Sequence, residues 1–307
     1  MNETDQILIG VDAGGTKTQI LVHRDVPEAP SPFEGGGINL KRDGISSAAE
    51  KLATLIKEAI NDCSATASLH LCAGIAGAGR SQDREALQQQ LSSLLEPRPL
   101  LTSLCTDADI AYYAAHKNNP GVLIIAGTGS IILAKNEDGE FLRAGGWGYK
   151  LGDEAAGYQL GRAGLAAVAD HMDGGPQTLL TSLIKHALEI ANANELISHT
   201  YNPATRIQSI APLVLEAAQQ GDQMAQLILD DQLSRLAKRL QWMLDKHAGI
   251  ATCVCIFGGL SKNAFYLERL KSILQHTAPD ITFTSMSMTP VEAALHLAAQ
   301  LKESPTA

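Results

Sequence analysis

Short apolar runs separated by glycine-rich turns occur twice along the chain, in the same order. Residues 7–11 and 18–22 flank the turn Asp12-Ala-Gly-Gly-Thr-Lys17, and residues 122–126 and 131–135 flank Gly127-Thr-Gly129. Apolar runs joined by a glycine turn predict β-hairpins. Further predicted strands and helices follow each hairpin, so the pattern indicates a duplicated α/β unit. Two such units facing each other would leave a cleft with both turns at its floor, where folds of this kind bind ligands.

Helical periodicity and turn residues complete the predicted organisation. Residues 27–37, rich in proline and glycine, are predicted to be a loop, whereas 153–170 and most of 179–247 are predicted to be helical. Thr289-Pro-x-Glu292 predicts the capped start of a final helix with proline at its first position. The turn cluster at residues 118–121 is the predicted domain boundary.

Composition narrows the classes of partner. The chain has 307 residues, 45% of them apolar, and a net charge of −9 from 24 basic and 33 acidic residues, so nucleic acid is not an expected partner. No apolar run is long enough to cross a bilayer, and the polar residues 1–6 lack the order of a signal peptide. The five cysteines, an odd number, favour a reducing cytoplasmic setting, and Cys253 and Cys255 are predicted to be core thiols.

The first glycine turn has the composition of a phosphate site. Gly14 and Gly15 would let a phosphate approach the backbone N–H groups, and the neighbouring Thr16, Lys17 and Thr18 carry polar side chains. Asp12 is placed to hold Mg²⁺, directly or through water. The alternative is a tight hairpin without a ligand.

Two later segments offer comparable sites. The second glycine turn carries Gly127, Thr128, Gly129 and Ser130, and its matching position in a repeated unit strengthens the phosphate interpretation. The third segment, Phe257-Gly258-Gly259-Leu-Ser261-Lys-Asn263, runs from a predicted strand into a helix and would let a flat ligand lie against the backbone. The alternative for the third is a strand–helix turn capped by Ser261.

These segments resemble the phosphate and adenosine motifs of the sugar-kinase/actin/Hsp70 ATPase superfamily. Together with Thr106-Asp-Ala108, Gly145-Gly-Trp-Gly148 and Gly152-Asp-Glu154, they resemble most closely the N-acetylglucosamine kinase branch, grouped with the BadF/BadG/BcrA/BcrD ATPase family. The resemblance implies two RNase H-like domains with ATP in the interdomain cleft. It also implies that the last helix crosses back, which gives residues 1–118 with 290–307 as one domain and 119–289, with a helical insertion, as the other.

The resemblance also assigns a catalytic base. Asp107 follows a predicted strand and opens a helix, where a carboxylate could accept the proton of a sugar hydroxyl or simply cap the helix. The family places its base at this position. Asp109 is the rival carboxylate, but in a helix it points away from Asp107 by about 200°.

Sugar contacts are predicted around two loops. A carboxylate such as Asp153 binds sugar hydroxyls strongly, Gly148 lies on the same loop, and Trp147 either packs on the sugar or fills the core beneath it. By resemblance Asn39 and Gly77 also contact the sugar. Ile38 departs from the family pattern, which leaves the N-acetyl preference open.

The sequence therefore predicts ATP- and Mg²⁺-dependent phosphorylation of the 6-hydroxyl of an amino sugar, most simply N-acetylglucosamine or glucosamine. The resemblance further implies a homodimer. One alternative is a BadF-type ATPase that activates a radical dehydratase, although the glycine turns carry none of the cysteines that an iron–sulfur cluster needs. The other is a non-catalytic sugar-sensing regulator, but no helix-turn-helix precedes residue 7.

Overall fold

A computed structural model describes residues 6–24 and 29–301, which divide into two compact units. Among the described residues, the first unit comprises 6–24, 29–118 and 286–301, and the second comprises 119–285. Most of the predicted polar N-terminus, and residues 27–28 of the predicted loop, lie outside the described residues. None of the described helices is both long enough and apolar enough to span a membrane.

The described elements alternate in the order expected for an α/β protein. The strands are β1 (Gln6–Ala13), β2 (Lys17–Arg24), β3 (Ser31–Gly36), β4 (Ser68–Ile75), β5 (Leu100–Cys105), β6 (Gly121–Ala126), β7 (Ser130–Lys135), β8 (Phe141–Gly145), β9 (Cys253–Phe257) and β10 (Thr282–Thr284). The helices are α1 (Leu40–Asp43), α2 (Ile45–Ala59), α3 (Ser81–Leu95), α4 (Asp107–His116), α5 (Gly157–Met172), α6 (Leu179–Leu188), α7 (Ala193–Thr200), α8 (Ala211–Gln219), α9 (Gln223–Lys246), α10 (Ala264–Thr277) and α11 (Pro290–Ala298). Short 3-10 turns lie at Ile207–Ile210 and Leu260–Lys262.

The two sheets share one topology, which confirms the predicted duplication. The first has the order β3-β2-β1-β4-β5, and the second has the order β10-β9-β6-β7-β8. In each, an antiparallel three-stranded meander is joined by its first strand to two further parallel strands. The carboxyl ends of β1, β4 and β5 therefore meet at one edge, and those of β6 and β9 meet at the corresponding edge of the second sheet.

Helices pack closely against each of the two sheets. α11 packs on β1 so closely that a Cβ on Gly10 would lie 2.3 Å from the Leu295 nitrogen, which excludes any larger residue there. Its predicted start is confirmed, because Thr289 and Glu292 form a capping box. In the second unit, α5 to α9 fill the chain between β8 and β9 and contribute most of the core around β6.

Two secondary-structure predictions are wrong. Residues 31–36, predicted as loop, form the edge strand β3, where Pro32 is tolerated because an edge position leaves N–H groups unpaired. The helix predicted from residue 153 begins at Gly157 instead. Asp153 and Ala155 have φ values of 62° and 64°, in the left-handed region, so the backbone turns sharply before α5.

Candidate active site

The carboxyl edge of the first sheet collects three of the predicted site residues. Asp12 is the penultimate residue of β1 and pairs with Gly74 of β4, which in turn pairs with Cys105 at the end of β5. Gly77 and Asp107 each follow two residues after the strands β4 and β5. The register of three parallel strands therefore brings Asp12 and Asp107 to one place, although 95 residues separate them in the sequence.

Asp107 is not the N-cap residue of α4. Thr106 is the N-cap of α4, and Asp109 completes the capping box by accepting the Thr106 N–H at 2.9 Å. Asp107 occupies the first helical position, and its Oδ1 accepts the Ala108 N–H at 3.0 Å. Burial raises the pKa of Asp107, an effect that these backbone hydrogen bonds oppose. The capping alternative for Asp107 is wrong, and its rival Asp109 already has a structural role.

Asp12 shares this environment. Burial, and next the negative charge of Asp107, raise the pKa of Asp12 from 3.8 to about 6, while Lys17 acts in the opposite direction. The pKa values of two neighbouring carboxyl groups are therefore both raised. A cation bound between them would stabilise their charged forms.

The first glycine turn (residues 14–16) connects β1 to β2. Gly14 donates its N–H to the Lys17 carbonyl at 3.0 Å. Neither Gly14 nor Gly15 has φ in the left-handed region, and a Cβ on Gly15 would have no neighbour closer than 4.0 Å. The fold therefore gives no internal reason for Gly15, whereas a ligand that approaches the backbone closely would.

The polar side chains of this turn differ in availability. Thr16 and Lys17 are exposed, and the Lys17 ammonium lies 3.5 Å from Glu34. Thr18 is fully buried, and its hydroxyl donates to the Gly36 carbonyl at 2.8 Å. The prediction that Thr18 donates to a phosphate is therefore wrong: its hydroxyl fastens β2 to β3.

Asn39 and Gly77 lie together beside the first glycine turn. Asn39 caps α1 through Oδ1, and a Cβ on Gly77 would lie 2.9 Å from that oxygen. Gly77 also has a φ of 83°, which favours glycine. The Asn39 Nδ2 group has no hydrogen-bond partner among the described residues, and it is the nearest atom to the Cβ position on Gly15.

Sequence reasoning missed an ion pair that supports this turn. Arg42 donates to the carbonyls of Gly15 at 2.7 Å and Gly37 at 3.0 Å, and Asp43 holds the guanidinium through two further bonds. Asp43 also accepts the Asn39 N–H. The position of Arg42 three residues after Asn39 was the available signal, since both lie on one helical turn.

The second glycine turn (residues 127–130) is anchored on the first residues of α5 and on the segment just before it. The Gly157 N–H donates to the Gly127 carbonyl at 2.8 Å, and the Tyr158 N–H donates to the Thr128 carbonyl at 3.2 Å. Thr128 is exposed. Ser130 is buried, and its hydroxyl donates to the Glu154 carbonyl at 2.7 Å. The prediction of a phosphate-binding hydroxyl at Ser130 is therefore wrong, as it is at Thr18.

The third glycine segment lies against the second glycine turn. A Cβ on Gly258 would lie 2.3 Å from the Ala126 carbonyl oxygen, and Gly258 has a φ of 121°. Gly259 has open space around its Cβ position. Ser261 donates to the Gly258 carbonyl at 2.9 Å, and Asn263 caps α10. Gly259 thus keeps the predicted open surface, whereas Ser261 and Asn263 also serve the local turn.

The tryptophan loop (residues 145–152) presents an exposed indole. Gly145, Gly146 and Gly148 all have positive φ, so the backbone itself requires this motif. Trp147 is 58% exposed, and the Arg143 guanidinium lies 4.9 Å from its ring centroid. The core-filling interpretation of Trp147 is wrong, and the ring is available to a ligand.

Asp153 joins the tryptophan loop to the second glycine turn. Its Oδ1 accepts the Gly148 N–H at 3.2 Å, and its Oδ2 would lie 2.7 Å from a Cβ on Gly129. Asp153 is 8% exposed, and burial raises its pKa while backbone N–H groups of Gly148 and Ser130 lower it. A sugar contact by Asp153 stays a prediction, since its carboxylate already receives backbone hydrogen bonds.

Glu154 and Arg239 form a second ion pair that sequence reasoning missed. Arg239 of α9 donates to both carboxylate oxygens of Glu154, and the two side chains are only 20% and 16% exposed. Glu154 belongs to a recognised motif, but Arg239 lies on a mostly polar helix 85 residues later. No pattern in the sequence marks it.

The site and the fold together define a class. Two sheets of one topology, each with a glycine turn at its carboxyl edge, form the actin-like ATPase fold. The chain matches the BadF/BadG/BcrA/BcrD ATPase family over residues 9–295 and belongs to that family.

Several relatives are named sugar kinases. The chain is 31% identical over 256 residues to N-acetyl-D-glucosamine kinase of Dictyostelium discoideum, a match that covers 78% of this chain and 80% of that protein. It is 28% identical to N-acetylmuramic acid/N-acetylglucosamine kinase of Clostridium acetobutylicum, with 91% and 94% covered. A crystal structure from Chromobacterium violaceum, whose proposed activity is N-acetylglucosamine kinase, has a TM-score of 0.76 at 26% identity, with 95% and 99% covered.

Proposed function

We propose that this protein transfers the γ-phosphate of ATP to the 6-hydroxyl of an amino sugar, with N-acetylglucosamine or glucosamine as substrate. The observation that carries the proposal is Asp107: it is a partly buried carboxylate without a capping role, and its negative charge raises the pKa of Asp12. Relatives that span most of this chain are named kinases of N-acetylglucosamine, N-acetylmuramic acid and glucosamine, which supports the substrate class.

Each unit, taken by itself, carries candidate contacts for the nucleotide. In the first unit, the backbone N–H group of Gly15 and the side chains of Thr16 and Lys17 would hold phosphate oxygens. Gly14 would line the same turn, and its own N–H donates to the Lys17 carbonyl. In the second, the residues Gly127 to Gly129 would do so, and Gly258 and Gly259 would lie against the adenosine. Gly15 and Gly259 support this assignment, because neither has a neighbour within 4 Å that would explain the absence of a side chain, apart from Asn39 at 4.0 Å from Gly15.

A magnesium ion fits the donor set at Asp12. Two neighbouring, partly buried carboxyl groups with raised pKa values carry an unfavourable negative charge that a divalent cation would stabilise. When bound, Mg²⁺ would neutralise charge on the phosphate oxygens of ATP. Asp12 would hold it, directly or through water.

Asp107 would act as the general base. Its raised pKa makes it a better proton acceptor than an ordinary aspartate, and it would take the proton of the sugar hydroxyl as that oxygen attacks the γ-phosphorus. The bond between the γ-phosphorus and the bridging oxygen breaks, and ADP leaves. Backbone N–H groups of the glycine turns would stabilise the charge on the transferred group.

Sugar contacts are proposed on each unit. In the first unit, the unpartnered Nδ2 of Asn39 would donate to a sugar oxygen beside Gly77. In the second, the exposed Trp147 ring would cover an apolar sugar face next to Gly148, and Asp153 would complete the contact.

A substrate panel tests the function. ADP release is measured with ATP, Mg²⁺ and, in turn, N-acetylglucosamine, glucosamine, N-acetylmuramic acid and glucose, and the phosphorylated carbon is assigned by NMR. The proposal predicts ADP release that depends on an amino sugar and a phosphate on carbon 6. ADP production at background level with all four sugars would refute it.

Two further properties remain proposals. A homodimer is expected from the family resemblance, and light scattering after gel filtration measures it directly. A cytoplasmic location is favoured by the five free cysteines, because a reducing compartment keeps thiols reduced.

A further inference from the structure

The segment 153–155 is held in an unfavourable backbone conformation by side chains from distant helices. Asp153 and Ala155, neither of them glycine, both have φ in the left-handed region. Non-glycine residues keep such conformations only where surrounding contacts hold the backbone in place, and these conformations are common at functional sites.

Three side chains supply that constraint. The Gln232 Oε1 atom accepts the Ala155 N–H at 3.2 Å, and the fully buried Tyr266 hydroxyl donates to the Ala155 carbonyl at 2.9 Å. The third side chain is that of Arg239, which donates two hydrogen bonds to the carboxylate of Glu154, the residue between Asp153 and Ala155. Burial would raise the pKa of Glu154, but Arg239 outweighs it, so the pKa is lowered and the ion pair is retained.

The same segment supports both functional loops of the second unit. The Glu154 carbonyl accepts the Ser130 hydroxyl, and the Asp153 carboxylate accepts the Gly148 N–H. One short stretch of backbone therefore sets the second glycine turn and the tryptophan loop at the same time. Arg239 also lies beside the tryptophan loop, since a Cβ added to Gly145 would be 3.6 Å from the Arg239 Cδ.

We propose that Arg239 is a positioning residue that acts through Glu154 to hold the second glycine turn and Gly148 in the one arrangement that supports phosphoryl transfer. This inference rests on the proposed kinase function. Small displacements of groups that hold reactants cost large rate factors, so the loss of the pair acts mainly on kcat. In this proposal Arg239 acts only through Glu154 and makes no substrate contact of its own.

The test compares two arginines with similar bonding. Arg239→Ala removes the partner of Glu154. Arg269→Ala removes an equally bidentate partner of Asp230, also between α9 and another element, that touches neither functional loop. Because Arg239→Ala leaves a largely buried carboxylate without its partner, Arg239→Lys and Glu154→Gln serve as milder variants. Lysine restores the charge but not the paired geometry.

We expect Arg239→Ala to lower kcat by roughly 10- to 100-fold, with a smaller change in the KM for ATP, and Arg239→Lys to recover part of the loss. Arg269→Ala should stay within about twofold of wild type, since exposed ion pairs contribute little. All assays are run at a temperature where each variant is fully folded by circular dichroism.

Hydrogen–deuterium exchange provides a readout that needs no substrate. Peptides covering residues 127–130 and 145–158 should exchange faster in Arg239→Ala and Glu154→Gln than in wild type, with no such change in Arg269→Ala. Wild-type exchange in these peptides, or a kcat equal to that of Arg269→Ala, would overturn the inference. If the wild type phosphorylates no sugar, the proposed function falls, and the exchange result still decides the positioning role.

Discussion

Replacing Asp12 with asparagine should make the ligand-free protein more stable while it abolishes catalysis. The folded pKa of about 6, against 3.8 in the unfolded chain, means that folding disfavours the charged form of this group. Each tenfold change in proton affinity is worth about 1.4 kcal/mol, so ionised Asp12 destabilises the fold by about 3 kcal/mol at pH 7.5. An asparagine side chain at this position carries no charge and avoids this cost.

The pH dependence gives the sign of the effect. For an acid whose folded pKa is raised, the destabilisation is fully present above the folded pKa of about 6 and fades as pH falls toward 3.8. The advantage of Asp12→Asn should therefore drop to about half at pH 5 and disappear near pH 3.5. The wild type should gain stability relative to the variant as the solution is acidified.

Calorimetry or far-ultraviolet circular dichroism during urea unfolding measures this difference without nucleotide or metal. Both tryptophans, Trp147 and Trp242, belong to the second unit, so their fluorescence does not report the first. Asp62→Asn is the control, because Arg24 lowers the pKa of Asp62 and its neutralisation should not stabilise the protein at any pH. An Asp12→Asn protein no more stable than wild type at pH 7.5, or a gain independent of pH, would show that ionised Asp12 does not destabilise the fold.

Three further substitutions separate ligand contacts from structural roles. Gly15→Ala should shift the melting temperature by less than about 2 °C, because the added Cβ would meet no atom closer than 4.0 Å. The same substitution should raise the KM for ATP roughly tenfold, and an unchanged KM would contradict a phosphate contact at Gly15. Gly37→Ala should destabilise the fold, because its Cβ would lie 2.5 Å from the carbonyl carbon of Thr16, and a wild-type melting temperature would argue against that contact. Trp147→Ala should change the unfolding free energy by no more than about 0.5 kcal/mol, since the side chain is 58% exposed. It should raise the KM for the sugar in kinetic assays and weaken sugar binding in isothermal titration. Sugar affinity equal to that of wild type would show that Trp147 does not contact the sugar.

Local patterns were sufficient for the duplicated fold and for the position of Asp107. Hairpin signals at both glycine turns and strand-to-helix transitions depend on neighbouring residues, so the sequence reports them directly. The alternation of apolar runs also placed Asp12 at a strand end. Parallel pairing of β1, β4 and β5 then brought Asp12 and Asp107 together.

Other features depend on contacts that no local pattern encodes. Thr18 and Ser130 have the residue types of phosphate ligands, but long-range hydrogen bonds to Gly36 and Glu154 occupy their hydroxyl donors. The strained start of α5 is set by Gln232 and Tyr266, which lie 77 and 111 residues from Ala155.

The glycines show a similar division. Gly258 is required by its positive φ and its approach to Ala126, whereas Gly15 has no such requirement in the fold. Sequence alone gives both positions the same letter, so only the geometry distinguishes a glycine kept for the backbone from one kept for a ligand.

A comparison of Asp107→Asn with Asp109→Asn shows whether Asp107 is the general base. Turnover of ATP with the best amino sugar is measured for both variants, together with the ATP dissociation constant. Asp107→Asn should lose about 10²- to 10⁴-fold in kcat with nearly unchanged ATP affinity, because it removes the proton acceptor but no nucleotide contact. Asp109→Asn should stay close to wild type, because asparagine can still accept the Thr106 N–H. Near-normal turnover by Asp107→Asn, or equal losses in the two variants, would contradict this role for Asp107.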